Sequence, residues 1–261
     1  MEKLGQHFLI NEDIAHDIVD ALDIQSGELI IEIGPGKGAL TELLVEKTQK
    51  AEGHFLAIEK DRRLGLKLYQ RYKGLEHVEM RAGDILEELK AFSDEQGPYR
   101  LIGNLPYYLS GKILRSISEL EHKPMQSVFM FQKEVAERLS AQPPKMNLLA
   151  AAVQIWAEAK LLFSLGPENF SPPPQVGSAL VSLELKEGEG SDQKLYFSFI
   201  RKAFKQPRKL LLNNLREGEN ISREVLRELL EKYGLGENTR AQELSIELIR
   251  KLAQEYSALL A

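Results

Sequence analysis

Leu29-Ile-Ile-Glu-Ile33, followed by Gly34-Pro-Gly-Lys-Gly38, decides the fold class. An apolar run broken by a single acid suits a strand covered on both faces, and the apolar spacing of Leu40, Leu43 and Leu44 beyond the glycines completes a strand, a loop and a helix. The unit repeats. Phe55-Leu-Ala-Ile58 ends in Glu59, His77-Val-Glu-Met80 leads into Gly83-Asp84, and Tyr99-Arg-Leu-Ile102 leads into Asn104, with helical segments near 61–72, 85–92 and 111–120 between them. Alternating strands and helices of this kind predict an α/β fold built on a mostly parallel sheet. Ahead of this core, Asn11 is placed to cap a helix with the apolar face Ile14, Ile18 and Leu22, so the segment before it is a loop. Ser127–Phe131 reads as a fifth buried strand, Gln132–Leu139 and Asn147–Ala157 as helices, and Leu161–Phe163 and Ala179–Leu185 as the last strands. The proline-rich block from Phe170 to Val176 is expected to be irregular.

Lys186-Glu-Gly-Glu-Gly-Ser-Asp192 has the composition of a linker and sets the expected division, residues 1–186 and 187–261. Everything after it reads as helix: a basic segment near 195–216, an amphipathic stretch carrying Val225, Leu226, Leu229 and Leu230, and a final helix after Ser245. The chain of 261 residues is 43% hydrophobic, enough for a substantial core. It has no cysteine, and its five histidines show no ligand spacing, which predicts neither disulfides nor a metal site. No apolar run is long enough to cross a membrane and the first residues have no apolar signal core, so a cytoplasmic protein is expected. The formal net charge is −5, and a nucleic-acid role must therefore rest on local clusters of charge.

Ligands of open parallel sheets bind beyond the carboxyl ends of the strands, where this sequence places Gly34, Gly36, Glu59, Asp84 and Asn104. Gly34 and Gly36 with Ala39 also satisfy a dinucleotide fingerprint, so the loop by itself indicates a nucleoside ligand without naming it. Glu59, about 20 residues beyond the loop, has the spacing of a ribose acceptor, and Asp84 can be a helix cap, an acceptor for an adenine amine, or both. Asn104-Leu-Pro-Tyr107 separates the chemistries. An exocyclic amine on a heteroaromatic ring is a weak nucleophile because its lone pair is delocalised. The amide oxygen of Asn104 and a main-chain carbonyl beside Pro106 can accept its two hydrogens while Tyr107 stacks on the ring. Hydride transfer generally needs a proton donor, and this loop offers acceptors. Methyl transfer from S-adenosylmethionine fits better, with no dedicated general base.

Five blocks, Gly5-Gln-His-Phe-Leu9, Glu32-Ile-Gly-Pro-Gly36, Asn104-Leu-Pro-Tyr-Tyr108, Gln132-Lys-Glu-Val135 and Phe170-x-Pro-Pro-Pro-x-Val176-x-Ser-Ala179, occur in this order. Together they resemble the ribosomal RNA small-subunit adenine dimethyltransferases, the KsgA family, from about residue 3 to the end of the chain. The resemblance implies a seven-stranded Rossmann-like methyltransferase fold with a small helical C-terminal domain. It implies S-adenosyl-L-methionine-dependent dimethylation of two adjacent adenosines in the 3′-terminal hairpin loop of small-subunit ribosomal RNA, within an assembling small ribosomal subunit, by a protein expected to be monomeric. Carried over residue by residue, cofactor contacts fall on His7, Leu9, Gly34, Gly36, Glu59, Asp84 and Asn104. The catalytic pocket falls on Asn104, Pro106, Tyr107 and Phe170, the last as a second aromatic surface at the mouth, and the leader loop closes over the cofactor.

From Lys194 to Arg216 seven cations occur without an acid, interleaved with Tyr196, Phe197, Phe199 and Phe204. Arg201, Lys202, Lys205, Arg208 and Lys209 are the expected RNA contacts. Pro207 stands where the family commonly has arginine, and it can break the helix. A related class modifies one large-subunit adenosine; Leu105 after Asn104 and the full proline block at 172–174 favour the small-subunit class. A non-catalytic assembly factor is disfavoured by the intact Glu59, Asp84 and Asn104, and a nicotinamide oxidoreductase by the acceptor loop.

Overall fold

The computed structural model describes residues 7–91, 97–186 and 193–260. Residues 3–6 of the expected leader and 187–192 of the expected linker lie outside them. The strands are β1 (Phe8–Leu9), β2 (Leu29–Ile33), β3 (His54–Glu59), β4 (Val78–Ala82), β5 (Tyr99–Asn104), β6 (Gln126–Gln132), β7 (Ala157–Leu165), β8 (Phe170–Ser171) and β9 (Ser178–Leu185). The α-helices are α1 (Glu12–Asp20), α2 (Thr41–Lys50), α3 (Arg62–Tyr72), α4 (Ile85–Ala91), α5 (Ser110–Glu119), α6 (Lys133–Leu139), α7 (Leu148–Gln154), α8 (Gln193–Ala203), α9 (Leu211–Arg216), α10 (Arg223–Lys232) and α11 (Ile246–Leu260).

Seven strands form one sheet in the order β4-β3-β2-β5-β6-β9-β7. The pairs β2–β3, β2–β5, β3–β4 and β5–β6 are parallel, and β6–β9 is antiparallel. The chain moves outward from β2 to β4, then returns to β5 on the other side of β2, so the order reverses beside the glycine turn. Such a reversal leaves a crevice at the carboxyl ends of the central strands. At their opposite ends Arg100 fixes the alignment. Its guanidinium donates to Glu28 Oε2 and Gln126 Oε1 at 2.6 Å and to the Leu22 carbonyl at 3.1 Å. Glu28, Arg100 and Gln126 stand at the starts of β2, β5 and β6, and one nearly buried cation thus holds three adjacent strands in register.

The sheet unit takes in the chain as far as Ala136 and again over Glu158–Leu185, while Glu137–Ala157 packs with the helices that follow residue 186. The division anticipated from the linker therefore differs in one respect: α7 belongs with the C-terminal helices. Burial explains it, because Met146, Ala150 and Ala151 are buried in one core with Tyr196, Phe199 and Leu252, and the Tyr196 hydroxyl donates to the Ala151 carbonyl at 2.9 Å. The basic segment near 195–216 is two helices rather than one: α8 ends at Ala203, a turn contains Pro207, and α9 starts at Leu211. Proline at 207 cannot donate to a continuing helix. Asn214 completes the turn by donating from Nδ2 to the Ala203 and Gln206 carbonyls at 2.8 and 3.0 Å.

The described end of the leader, from His7, is tied down. Phe8 and Leu9 pair antiparallel with Ser171 and Phe170, making a two-stranded sheet of β1 and β8 inside regions expected to be irregular. Ile10 N–H donates to the Asn169 carbonyl at 2.9 Å, and Asn11 Nδ2 donates to Asn169 Oδ1 at 2.8 Å. Phe170, 3% exposed, is buried with Leu9, Ala15, Ile18 and Leu165. Its ring holds the leader strand against the core. Phe170→Ala is expected to destabilise the protein by about 3–5 kcal/mol through transfer and cavity costs, read as a lower denaturation midpoint in urea with an unchanged slope.

Candidate active site

One pocket lies at the carboxyl ends of β2, β3, β4 and β5, and its walls come from the turn after each strand and from the leader. It brings together His7, Leu9, Gly34, Gly36, Glu59, Asp84, Asn104, Pro106 and Tyr107. Gly34 and Gly36 have φ of +64° and +60°, a backbone that other residues rarely adopt. No heavy atom lies within 4 Å of a Cβ built at Gly34, whereas one at Gly36 would meet the Phe8 ring at 3.1 Å. The glycine turn is thus open at one position and packed under the leader at the other.

Glu59 is buried, and its two oxygens accept the N–H groups of Gly36 and Asp61, each at 2.8 Å. Each oxygen keeps a lone pair, which suits a carboxylate that receives two neighbouring hydroxyls. Asp84 combines both readings of its sequence position. Its Oδ1 accepts from Leu86 N–H at 3.0 Å at the start of α4, and its Oδ2 accepts from Lys60 Nζ at 2.9 Å while the residue lines the pocket. The Lys60 ammonium holds the Asp84 carboxyl below the usual carboxylate range.

The end of β5 and the turn after it are fixed from three sides. Asn104 Nδ2 donates to the His7 carbonyl at 2.9 Å, and the amide oxygen is left as the acceptor. His7 Nδ1 lies 2.8 Å from the Pro172 carbonyl; a carbonyl only accepts, so the ring proton is on Nδ1. Tyr107 shares a hydroxyl hydrogen bond with Ser178 Oγ at 2.9 Å, and its ring stands 5.8 Å from that of His7, tilted by 31°. The Pro106 carbonyl accepts Leu109 N–H at 2.9 Å, closing a short 3₁₀ turn over Tyr107–Leu109.

The family model described as ribosomal RNA adenine dimethylase matches residues 1–258. The chain belongs to that family. A relative from Dehalococcoides mccartyi (strain CBDB1), named ribosomal RNA small subunit methyltransferase A, is 36% identical, with 97% of this chain and 87% of the relative covered. One of the same name from Koribacter versatilis (strain Ellin345) is 37% identical, with 98% and 93% covered. Among solved structures, a dimethyladenosine transferase from Plasmodium falciparum superposes with a TM-score of 0.81 at 23% identity, covering 97% of this chain and 98% of that one. The 23S rRNA methyltransferase ErmE gives 0.75 at 19% identity, covering 96% and 99%, and these two structures bear on the fold. The seven-stranded methyltransferase fold, the family and S-adenosylmethionine as cofactor all agree with the sequence reading.

The residues of this dimethylase fit that cofactor. The open backbone at Gly34, the buried carboxylate of Glu59 with lone pairs to spare, and Asp84 beside the apolar Ile85 and Leu86 suit a methionine group, a ribose and an adenine in turn. Phe170 does not fit its expected place. It is absent from the pocket lining because its alternation in β8 turns it into the core, and Tyr108, 57% exposed, supplies the additional aromatic face on the lining. Lys60 and Lys112 line the pocket too, and sequence reasoning passed over them. The doubled tyrosine at 107–108 was the available signal for Tyr108.

Of the expected RNA contacts, Arg201 and Arg208 are exposed and without a carboxylate partner among the described residues. The three lysines are paired: Lys202 with Glu219, and Lys205 and Lys209 with Glu217 at 2.8 and 3.6 Å. The acid-free window ends at Arg216, and the next turn folds two carboxylates back onto it.

Glu32 is the least expected group in the pocket. Burial, reinforced by the nearby Glu59, pushes its carboxyl up to about 8 against the hydrogen bond that Thr41 Oγ1 donates at 2.7 Å. A folded-state value above the unfolded one makes the proton part of the fold: the stabilisation is complete below the unfolded carboxylate range and is lost as pH rises toward 8. Glu32→Gln keeps an acceptor for Thr41 without the titration. It is expected to flatten the decline of Tm across that interval and to raise Tm at its upper end by about 3 °C or more, roughly 1 kcal/mol for a chain of this size, in melts taken as a pH series.

Proposed function

We propose that this protein dimethylates the exocyclic amines of two adjacent adenosines in the 3′-terminal hairpin loop of small-subunit ribosomal RNA, acting as a cytoplasmic monomer on an assembling small subunit. Family membership and the relatives' names support ribosomal RNA as the substrate. The observation that carries the mechanism is the Asn104 amide, whose Nδ2 is engaged by the His7 carbonyl inside the pocket that holds Glu59 and Asp84. An amide held in this way presents its oxygen without having to reorganise.

S-adenosylmethionine, when bound, supplies an electrophilic methyl group on a sulfonium. Glu59, Asp84 and the Gly34–Gly36 turn hold it at the strand ends, with His7 and Leu9 closing over it. Asn104 Oδ1 accepts one hydrogen of the target amine, and a main-chain carbonyl flanking Pro106 accepts the other, which draws the nitrogen lone pair out of conjugation and fixes its direction. Tyr107, anchored at its hydroxyl by Ser178, gives the ring a face on which to stack. Tyr108 and His7 offer aromatic surface beside it. In the C-terminal helical unit, Arg201 and Arg208 contact RNA phosphate directly, and Lys202, Lys205 and Lys209 add less because Glu217 and Glu219 already compete for them.

Asn104→Ala is expected to abolish methyl incorporation into unmodified small-subunit ribosomal RNA while leaving its Kd within about twofold; equal loss of both would make the loop structural. Replacing Arg201 and Arg208 together by Gln is expected to make the plot of log K against log salt shallower by about 2, measured by fluorescence anisotropy, whereas Lys202→Gln changes it by less than half as much.

A further inference from the structure

The charge on α3 is not explained by the stability of that helix. From Lys60 to Lys73 the chain has six cations, Lys60, Arg62, Arg63, Lys67, Arg71 and Lys73, against Asp61 alone, in a protein of net charge −5. Arg62 and Arg63 open the helix, and its first turn holds no acid. The helix dipole disfavours cations at that end. Two of the six are neutralised, Lys60 by Asp84 at 2.9 Å and Arg71 by Glu42 at 2.8 Å. Arg63 reaches Asp61 only at 3.8 Å, and Lys73 donates to the Gln70 amide. Arg62 and Lys67 have no carboxylate partner among the described residues.

The same surface exposes apolar groups. α3 buries Leu68 and Tyr72 against the sheet unit but leaves Leu66 and Tyr69 59% and 48% exposed. At 3.6 residues per turn, Arg62, Arg63, Leu66, Lys67 and Tyr69 fall on one outward arc. Cations freed of partners and interleaved with an exposed aromatic ring form a surface suited to a sugar–phosphate strand, with phosphates on the charges and a base or ribose against the ring. The face begins at the pocket wall, since Lys60 lines the pocket and the next residue, Asp61, caps α3.

We propose that the exposed face of α3 is a second RNA contact, on the methyltransferase unit itself, which grips the backbone of the strand that carries the target adenosine. This inference rests on the reading of the protein as a ribosomal RNA methyltransferase. Charge decides for RNA over a protein partner: the face carries no exposed acid to answer a partner's lysines or arginines, and a polyanion needs none.

The test is a comparison of wild type with Arg62→Gln/Lys67→Gln and, separately, Tyr69→Ser, in binding to unmodified small-subunit ribosomal RNA from about 50 to about 200 mM potassium chloride. The double variant is expected to bind about tenfold more weakly at the low-salt end, with a slope shallower by about 2. The single variant is expected to weaken binding without changing the slope. S-adenosylmethionine affinity, Tm and the single-turnover rate at saturating RNA are expected to stay at wild-type values, and Arg62→Lys/Lys67→Arg to retain the wild-type slope. An unchanged Kd and slope in the double variant, while wild type methylates the RNA, overturns this inference alone. A wild type that methylates neither the RNA nor unmodified small subunits overturns the functional reading instead. Normal binding to naked RNA combined with weakened binding to protein-containing small subunits would assign the face to a protein and overturn the inference as well.

Discussion

The hydrogen bond from Asn104 Nδ2 to the His7 carbonyl joins the end of β5 to the leader. A primary amide can present either end, and the ends are opposite in hydrogen-bonding sense. Engaging the nitrogen with a main-chain carbonyl settles which end remains. That carbonyl is itself placed by other contacts: β1 pairs with β8, the His7 ring bonds to the Pro172 carbonyl, and Asn11 bonds to Asn169. The proline block and the leader therefore act far from their own sequence positions, by holding the partner of a side chain that the last residue of β5 supplies.

The same arrangement shows what sequence can and cannot convey. The ends of β3 and β5 were legible because doubly covered parallel strands are largely apolar, so Glu59 and Asn104 stood out against their own strands. β4 is an edge strand with Glu79 and Arg81 in it, and Asp84 was legible from the Gly83-Asp84 pair that follows. The convergence of these strand ends in one pocket follows from the parallel topology. Phe170 was misplaced for a different reason: its direction is set by pairing with Leu9, and the two residues are far apart in sequence. The pairing of the lysines in the basic segment was not legible because Glu217 and Glu219 lie just past the acid-free window and fold back across the turn. Pro207 was informative because its effect is local, a missing donor in the backbone.

Electrostatics divides the pocket by depth. Of its deep acids, Glu32 is raised to about 8 by burial and, less, by the charge of Glu59, so near neutrality it keeps its proton and the charge of Glu59 is what favours a cation arriving there. Lys60 and Lys112 line the same pocket and are exposed. Lysines beside a site for a cationic cofactor oppose its binding unless they are neutralised, and Lys60 is, by Asp84. The remaining positive charge is better matched to a substrate than to the cofactor.

Net charge is a poor guide to nucleic-acid binding in a chain organised like this one. A formal charge of −5 averages over acids that carry structural work: Glu28 on Arg100, Glu59 on two main-chain N–H groups, and Asp61 and Asp84 at helix starts. Those carboxylates are committed to neighbours, and the donors they satisfy partly offset their field. Cations without such commitments, among them Arg62 and Lys67 in one unit and Arg201 and Arg208 in the other, act on solvent more directly. A phosphate approaching within a Debye length, about 10 Å at moderate salt, responds to those nearby charges far more than to the sum over 261 residues.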